Sequence, residues 1–317
     1  MQKAQKTKHL PSPAGLFFIL FFVAFTAFPL SAGEFIGAQP AIIALQDIFP
    51  GEFYDIYKEG GLEILIPNAI GSKSVYKLNV SMPEQVKPLK GYLPLPDPSW
   101  FKLDKDSLVV EPYDTGRVRF YIQIPAGEEY RNQAYQVEIH IVRRAYEKEK
   151  TGTTVGLVLG LNLEYFIETS PIPEPKTKPA GILGVAPSQF FIKNPEIGKD
   201  TTMSFRVYNG DSVDHDYTVK LYIPPKQDTL NIRLDIPESP GYEWIPEETK
   251  EEWIKLKTTS LKVKAGSSGV VTLTAHFPDL GVPRDSLMNR GWEGIVAVVP
   301  DAGYSRFVRV KFFIVSE

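Results

Sequence analysis

The sequence predicts an all-β chain built as two β-sandwiches in tandem, and three observations carry that prediction. Residues recur at a constant spacing of 153: Trp100 and Trp253, Leu108 and Leu261, Val110 and Val263, Val118 and Val271, Pro125 and Pro278. A spacing held over 26 positions implies two copies of one folding unit. Between these markers apolar and polar residues alternate with period two, as in strands that turn one face to a core. Turn residues punctuate the runs at short intervals and helical periodicity is almost absent, which is the pattern of an immunoglobulin-like sandwich.

The chain opens with Lys3, Lys6 and Lys8, an apolar run from Gly15 to Leu30, and the small residues Ser31, Ala32 and Gly33. A basic start, an apolar middle and a small-residue end form an export signal. The run is also close to the roughly 18 residues at which a spanning helix becomes plausible, so residues 1–33 read as a signal peptide or an N-terminal anchor. Either way the body is expected outside the cytoplasm: periplasmic, at the cell surface or extracellular. Without the leader, 32 Lys and Arg stand against 38 Asp and Glu. A net acidic chain without a basic cluster is a poor binder of nucleic acid. The chain has no cysteine, so no disulfide contributes, and units of this length bury enough surface to fold without one.

The first sandwich is expected over 34–172. Its inward sets are Tyr76, Leu78, Val80 and Met82; Val118, Phe120, Ile122 and Ile124; and Tyr135, Val137, Ile139 and Ile141, with a last alternating strand from Leu157 to Ile167. The second, over 181–317, repeats them as Tyr217, Val219, Leu221 and Ile223; Val271, Leu273, Ala275 and Phe277; and a last strand from Val308 to Ile314. Between them lies a Pro-rich linker, 173–180, within a stretch from Ser170 to Gly181 that has four prolines in twelve residues. Such a segment is a semi-rigid spacer, expected to hold the two units apart. Only Pro246 to Lys257 carries helix-start residues, enough for a turn or two.

No catalytic set can be assembled. There is no cysteine nucleophile, no Gly-x-Ser-x-Gly elbow and no His-Glu-x-x-His; Gly156 and Gly160 lie in a strand pattern with no helix after them, unlike a dinucleotide loop. Glu247, Glu248, Glu251 and Glu252 form a charge run that reads as a solvated face. The loop from Asn209 to Asp216, with His215, has oxygens suited to Ca²⁺, but its spacing matches no calcium loop and an Asx-rich turn accounts for it. No enzyme activity, metal or cofactor is predicted. The aromatic residues of two irregular insertions, Tyr92, Trp100, Phe101, Tyr242, Trp244 and Trp253, are the candidate binding residues, because loops on a rigid sandwich usually carry recognition and aromatic side chains anchor partners. For Trp100 and Trp253 plugging the end of a sandwich is the competing reading.

The passage from Leu108 to Thr169 resembles the second half of immunoglobulin-like domains in the pilus-chaperone and WxL-interacting cell-surface families. The resemblance lies in Val110 and Pro112, Gly116, Ile124-Pro125, Tyr130 to Tyr135 and Val155 to Ile167, and it echoes in Leu261 to Ile314. It covers about 60 residues and is one of fold. The transmembrane helix and basic tail of WxL-interacting proteins have no counterpart, nor does the basic pair with which pilus chaperones hold a terminal carboxylate. The resulting expectation is an exported, non-enzymatic binding or scaffold protein of the cell envelope that engages a protein partner through loop aromatics. A structural subunit of a filament or layer is the alternative, with Glu34 to Asp47 as the segment that would be donated between chains. A cell-wall or glycan binder is a further one.

Overall fold

The computed structural model describes residues 36–145, 159–179, 181–224 and 235–315. The leader, Gly156 and the start of the strand expected from Leu157 lie outside the described residues. Strands dominate. In the first part of the chain they are β1 (Ile42–Ile48), β2 (Tyr54–Asp55), β3 (Ile64–Pro67), β4 (Ser74–Val80), β5 (Leu93–Pro94), β6 (Phe101–Leu103), β7 (Ser107–Val110), β8 (Thr115–Val118), β9 (Phe120–Ile122), β10 (Ala134–Ala145) and β11 (Leu159–Thr169). In the second part they are β12 (Leu183–Ala186), β13 (Gln189–Lys193), β14 (Asp200–Asn209), β15 (His215–Tyr222), β16 (Tyr242–Trp244), β17 (Ile254–Leu256), β18 (Ser260–Val263), β19 (Ser268–His276), β20 (Gly291–Pro300) and β21 (Arg306–Phe313).

The larger sheets have corresponding orders, β1-β11-β10-β4-β7 with β5 on β10, and β13-β21-β20-β15-β18 with β16 on β20. In each, the first strand runs parallel to the last and the short strand, β5 or β16, runs parallel to its neighbour, while the remaining pairs are antiparallel. Opposite the second large sheet lies β12-β14-β19-β17; opposite the first lie β2-β9-β6 and β3-β8. The difference has a local cause. Between β2 and β3 the chain inserts helix α1 (Ile56–Gly60), capped by Asp55, whose carboxylate accepts from the Lys58 N–H at 3.2 Å, and closed by Gly61 in the left-handed region at φ 69°. An Asp N-cap followed by a left-handed Gly confines a helix to this length.

Most of the inward sets are where period two puts them; the exception is Met82, which follows the end of β4 and is 47% exposed, because the strand's alternation stops at Val80. Val118, Phe120, Ile122 and Ile124 are fully buried, as are Val271, Leu273, Ala275 and Phe277. A buried asparagine clamps each unit at a matching place: Asn68 Nδ2 donates to the carbonyls of Ser72 and Val110 at 2.9 and 3.1 Å, and Asn209 Nδ2 to those of Val213 and Val263 at 2.7 and 3.1 Å. The expected helical turns appear as Glu247–Thr249 and α2 (Lys250–Trp253).

The spacer expectation is corrected. β20 and β21 are buried on both faces along most of their length, as is the end of β11. A third apolar cluster joins Tyr92, Ala134 and Phe166 of the first unit to Ile236, Ile295 and Phe307 of the second. The connector is itself tied down: Ile172 N–H donates to Asn132 Oδ1 at 3.1 Å, and Lys178 Nζ bonds the Gly266 carbonyl. The outward faces of β20, β21 and the end of β11 are therefore covered by protein instead of water.

The segment considered for donation between chains is engaged within this one. Ile42–Ile48 is β1, at the edge of its sheet and paired along one side with β11 from Ile42 opposite Glu164 to Ile48 opposite Thr169, so within this chain it is not a free strand. Residues 34 and 35 lie outside the described residues.

Candidate binding surface

The six aromatic candidates fall into separate environments. Phe101 is 2% exposed and stacks on Phe120 with centroids 5.3 Å apart, inside the first core. Trp253 is 1% exposed and meets Phe277 and Phe312 edge-on at 5.2 and 5.3 Å. Trp100 is half-buried against Tyr130 at 5.2 Å. The two tryptophans plug corresponding ends, the second more deeply, and Phe101 and Trp253 present no surface to a partner.

Tyr92 is fully buried at the junction. Gly91, at φ 92°, lets the backbone approach Phe307 so closely that a Cβ there would lie 2.2 Å from its ring. Tyr92 packs on Phe166 at 4.8 Å and on Phe307 at 5.3 Å, and its hydroxyl donates to Glu168 at 2.7 Å. Burial, then the Glu168 charge, pushes its phenol well above the ordinary value. Trp244 is half-buried against the same cluster, 5.9 Å from the Arg309 guanidinium.

Those two residues border a buried charge network. Arg309 grips Glu168 in a fork, Nη2 to Oε1 at 2.6 Å and Nε to Oε2 at 2.8 Å, and reaches Glu293 at 3.1 Å. Glu293 also accepts from the Ser239 hydroxyl at 2.6 Å. Burial alone would raise the Glu168 carboxyl, but the Arg309 charge and hydrogen bonds outweigh it and the net direction is down. Charges buried this completely need such pairing.

Tyr242 is the candidate that faces usable space. It lines a groove of about 140 Å³ with Phe191, Ile192, Lys193, Lys311 and Phe313 on the outer face of the second large sheet. Its ring is 5.7 Å from that of Phe313, and Phe191 is 53% exposed. The Lys311 ammonium lies 5.1 Å from the centroids of both Phe191 and Tyr242, and donates to Gln46 at 3.0 Å and Gln189 at 2.9 Å. Burial lowers its affinity for the proton, and nearby Glu293 opposes that. Burial likewise pushes the Tyr242 phenol up to about 12. The groove is thus apolar, with a cation held beneath aromatic rings. A second hollow of about 160 Å³ opens on the other side of β13, between the sheets, lined by Ile192, Lys193, Lys199, Thr201, Phe277 and Phe312 among others. Sequence reasoning missed Phe191, Phe313, Lys193 and Lys311. The available signal was Gln189-Phe190-Phe191-Ile192-Lys193, where adjacent apolar residues occupy both phases of a strand.

The polar candidates are used locally. In the Asn209–Asp216 loop, Asn209 Oδ1 accepts from Asp211 N–H at 3.0 Å, and Asp211 shares His215 with Asp301. Among the described residues no group of three or more His, Asp or Glu is arranged to hold a metal ion. Nor is any helix there long and apolar enough to cross a membrane.

No family model matches the chain, and no curated protein does. Among solved structures, it is similar to a Porphyromonas gingivalis protein of unknown function, at 9% identity and TM-score 0.34 over 89% of this chain and 100% of that one. It is also similar to the E. coli chaperone DraB, at 10% identity and TM-score 0.27 over 87% and 98%. The PapD-like domain 7 of human CEP192 is similar at 11% identity and TM-score 0.31, over 47% and 95%. These likenesses are too distant to transfer a property.

Proposed function

We propose that the chain is an exported, non-enzymatic binding protein of the cell envelope that engages a protein partner. In this reading residues 34–172 and 181–317 are two copies of an immunoglobulin-like sandwich, joined through 173–180 and locked by their buried junction into one rigid body. The observation that carries the proposal is the groove at Tyr242. It combines an exposed Phe191, part-exposed aromatic neighbours and a rigid support, the combination from which binding hot spots are made. Of the residues first considered for recognition, Tyr242 remains the anchor; Trp244 borders the junction and Tyr92 supports it from within.

The test is quantitative capture from the native envelope by the full-length chain and by its F191A/Y242A variant. The expected result is one or a few proteins whose recovery falls at least about tenfold in the variant, while the unfolding transition moves only a few degrees. Equal recovery by both chains would defeat the proposal.

A further inference from the structure

The two hollows share Ile192 and Lys193 and lie on opposite sides of one edge strand. β13 ends its sheet and pairs only with β21 among the described residues. Arg309 N–H donates to the Ser188 carbonyl at 2.9 Å and Asn194 N–H to the Phe313 carbonyl at 2.8 Å. In a parallel ladder alternate residues turn their backbone groups to the same neighbour, so the even-numbered residues serve β21 and Phe191 and Lys193 direct theirs to the open side. The facing sheet is open here too. β12 covers β14 only from Arg206 to Asn209, leaving 200–205 without a partner on that side among the described residues. The slot between the two edges is where the inner hollow lies.

We infer that β13 is completed by an extended segment of the partner protein, read on both faces. This rests on the binding function proposed above and specifies its ligand. Successive side chains of a strand point to opposite faces. One apolar side chain of the incoming segment would cover the groove of Phe191, Tyr242 and Phe313, and its neighbour in sequence would enter the hollow beside Phe277 and Phe312. Main-chain hydrogen bonds to Phe191 and Lys193 supply the common attraction, and the alternating hollows supply selectivity. Charge narrows the class further. Lys199 is paired with Glu196 at 2.7 Å, whereas Lys193 is exposed with no acidic partner among the described residues. The occupant is therefore an apolar strand with an Asp or Glu beside Lys193.

A random 12-residue peptide library displayed on phage, selected on the full-length chain, tests this. The expected winners alternate apolar residues and carry an acidic one; as synthetic peptides they lose at least about tenfold in affinity against K193P and against K193E, and bind Y304A, in a distant hairpin, as tightly as the original chain. Proline at 193 removes an outward N–H, keeps the Phe191 ring and leaves the β21 ladder intact, which edge strands tolerate; if that variant does not fold, K193E decides alone. No enrichment, or winners indifferent to K193E, overturns the inference. Native capture that is lost in F191A/Y242A but untouched by K193P and K193E keeps the groove as a binding site and removes the strand.

Discussion

Replacing Arg309 by Met should destabilise the protein by about 3–5 kcal/mol, the usual result of removing one partner from a fully buried ion pair. Arg309 is fully buried, forks onto Glu168 at 2.6 and 2.8 Å, touches Glu293 at 3.1 Å and donates to the Pro237 carbonyl at 3.0 Å. Methionine fills much of the volume and removes the charge, leaving two buried carboxylates. Neither is stripped bare: Glu168 keeps the Tyr92 hydroxyl at 2.7 Å and Glu293 keeps the Ser239 hydroxyl at 2.6 Å. The cost should therefore resemble one broken pair and not two. The pH dependence supplies a second readout. In the native protein Glu168 is held below its ordinary value, so its contribution is present above that value and lost only as pH falls through the depressed one. In the variant burial acts unopposed by Arg309, Glu168 should bind its proton more tightly folded than unfolded, and the deficit should narrow as pH falls from 7.5 toward about 5. Urea unfolding followed by tryptophan fluorescence measures both, and a split into two transitions would report loss of coupling between the units. A deficit below about 1 kcal/mol, or one independent of pH, would refute the reasoning.

Two further outcomes test other parts of the architecture. His215 bridges Asp301 and Asp211 at 2.6 and 3.1 Å, and those hydrogen bonds raise its proton affinity. Its stabilising contribution is thus full below the unfolded value and lost as pH rises through the folded one, so the urea midpoint should fall as pH rises above 6.5 in the native chain and stay flatter in H215N; parallel curves would remove the bridge from the account. Trp253→Ala should cost about 3–5 kcal/mol and Trp100→Ala distinctly less, because the first side chain is enclosed by three aromatic rings and the second is half-buried; equal losses in urea titrations would contradict the difference in depth.

How far the sequence could be read depended on what lay on each side of a strand. The inner faces were legible because period-two alternation gives the phase directly: Val118 to Ile124 and Val271 to Phe277 needed no other information. The junction was hidden by the same rule. Glu168, Glu293, Arg309 and Lys311 alternate with apolar neighbours, and a polar face covered by a charge-complementary unit has the same pattern as one covered by water. Only their pairing at 2.6 to 3.1 Å across distant segments separates the cases.

The candidate site shows how equal positions acquire unequal roles. Gly91-Tyr92 and Gly241-Tyr242 each precede or open a short strand beside β10 or β20, and each glycine has positive φ. The match continues beneath them: Leu89 N–H donates to Gln136 Oε1 at 2.7 Å, and Ser239 N–H to Glu293 Oε1 at 2.5 Å. Local sequence thus builds the same ledge twice. When the outer faces of the two large sheets meet, the first ledge is enclosed and Tyr92 becomes a buried hydrogen-bond donor to Glu168, while the second stays at the margin and leaves Tyr242 beside Phe191 and Phe313. A sequence signal that assigns both tyrosines to one kind of surface is correct about their local geometry and incomplete about their environment, because the covering surface comes from residues far away in the chain.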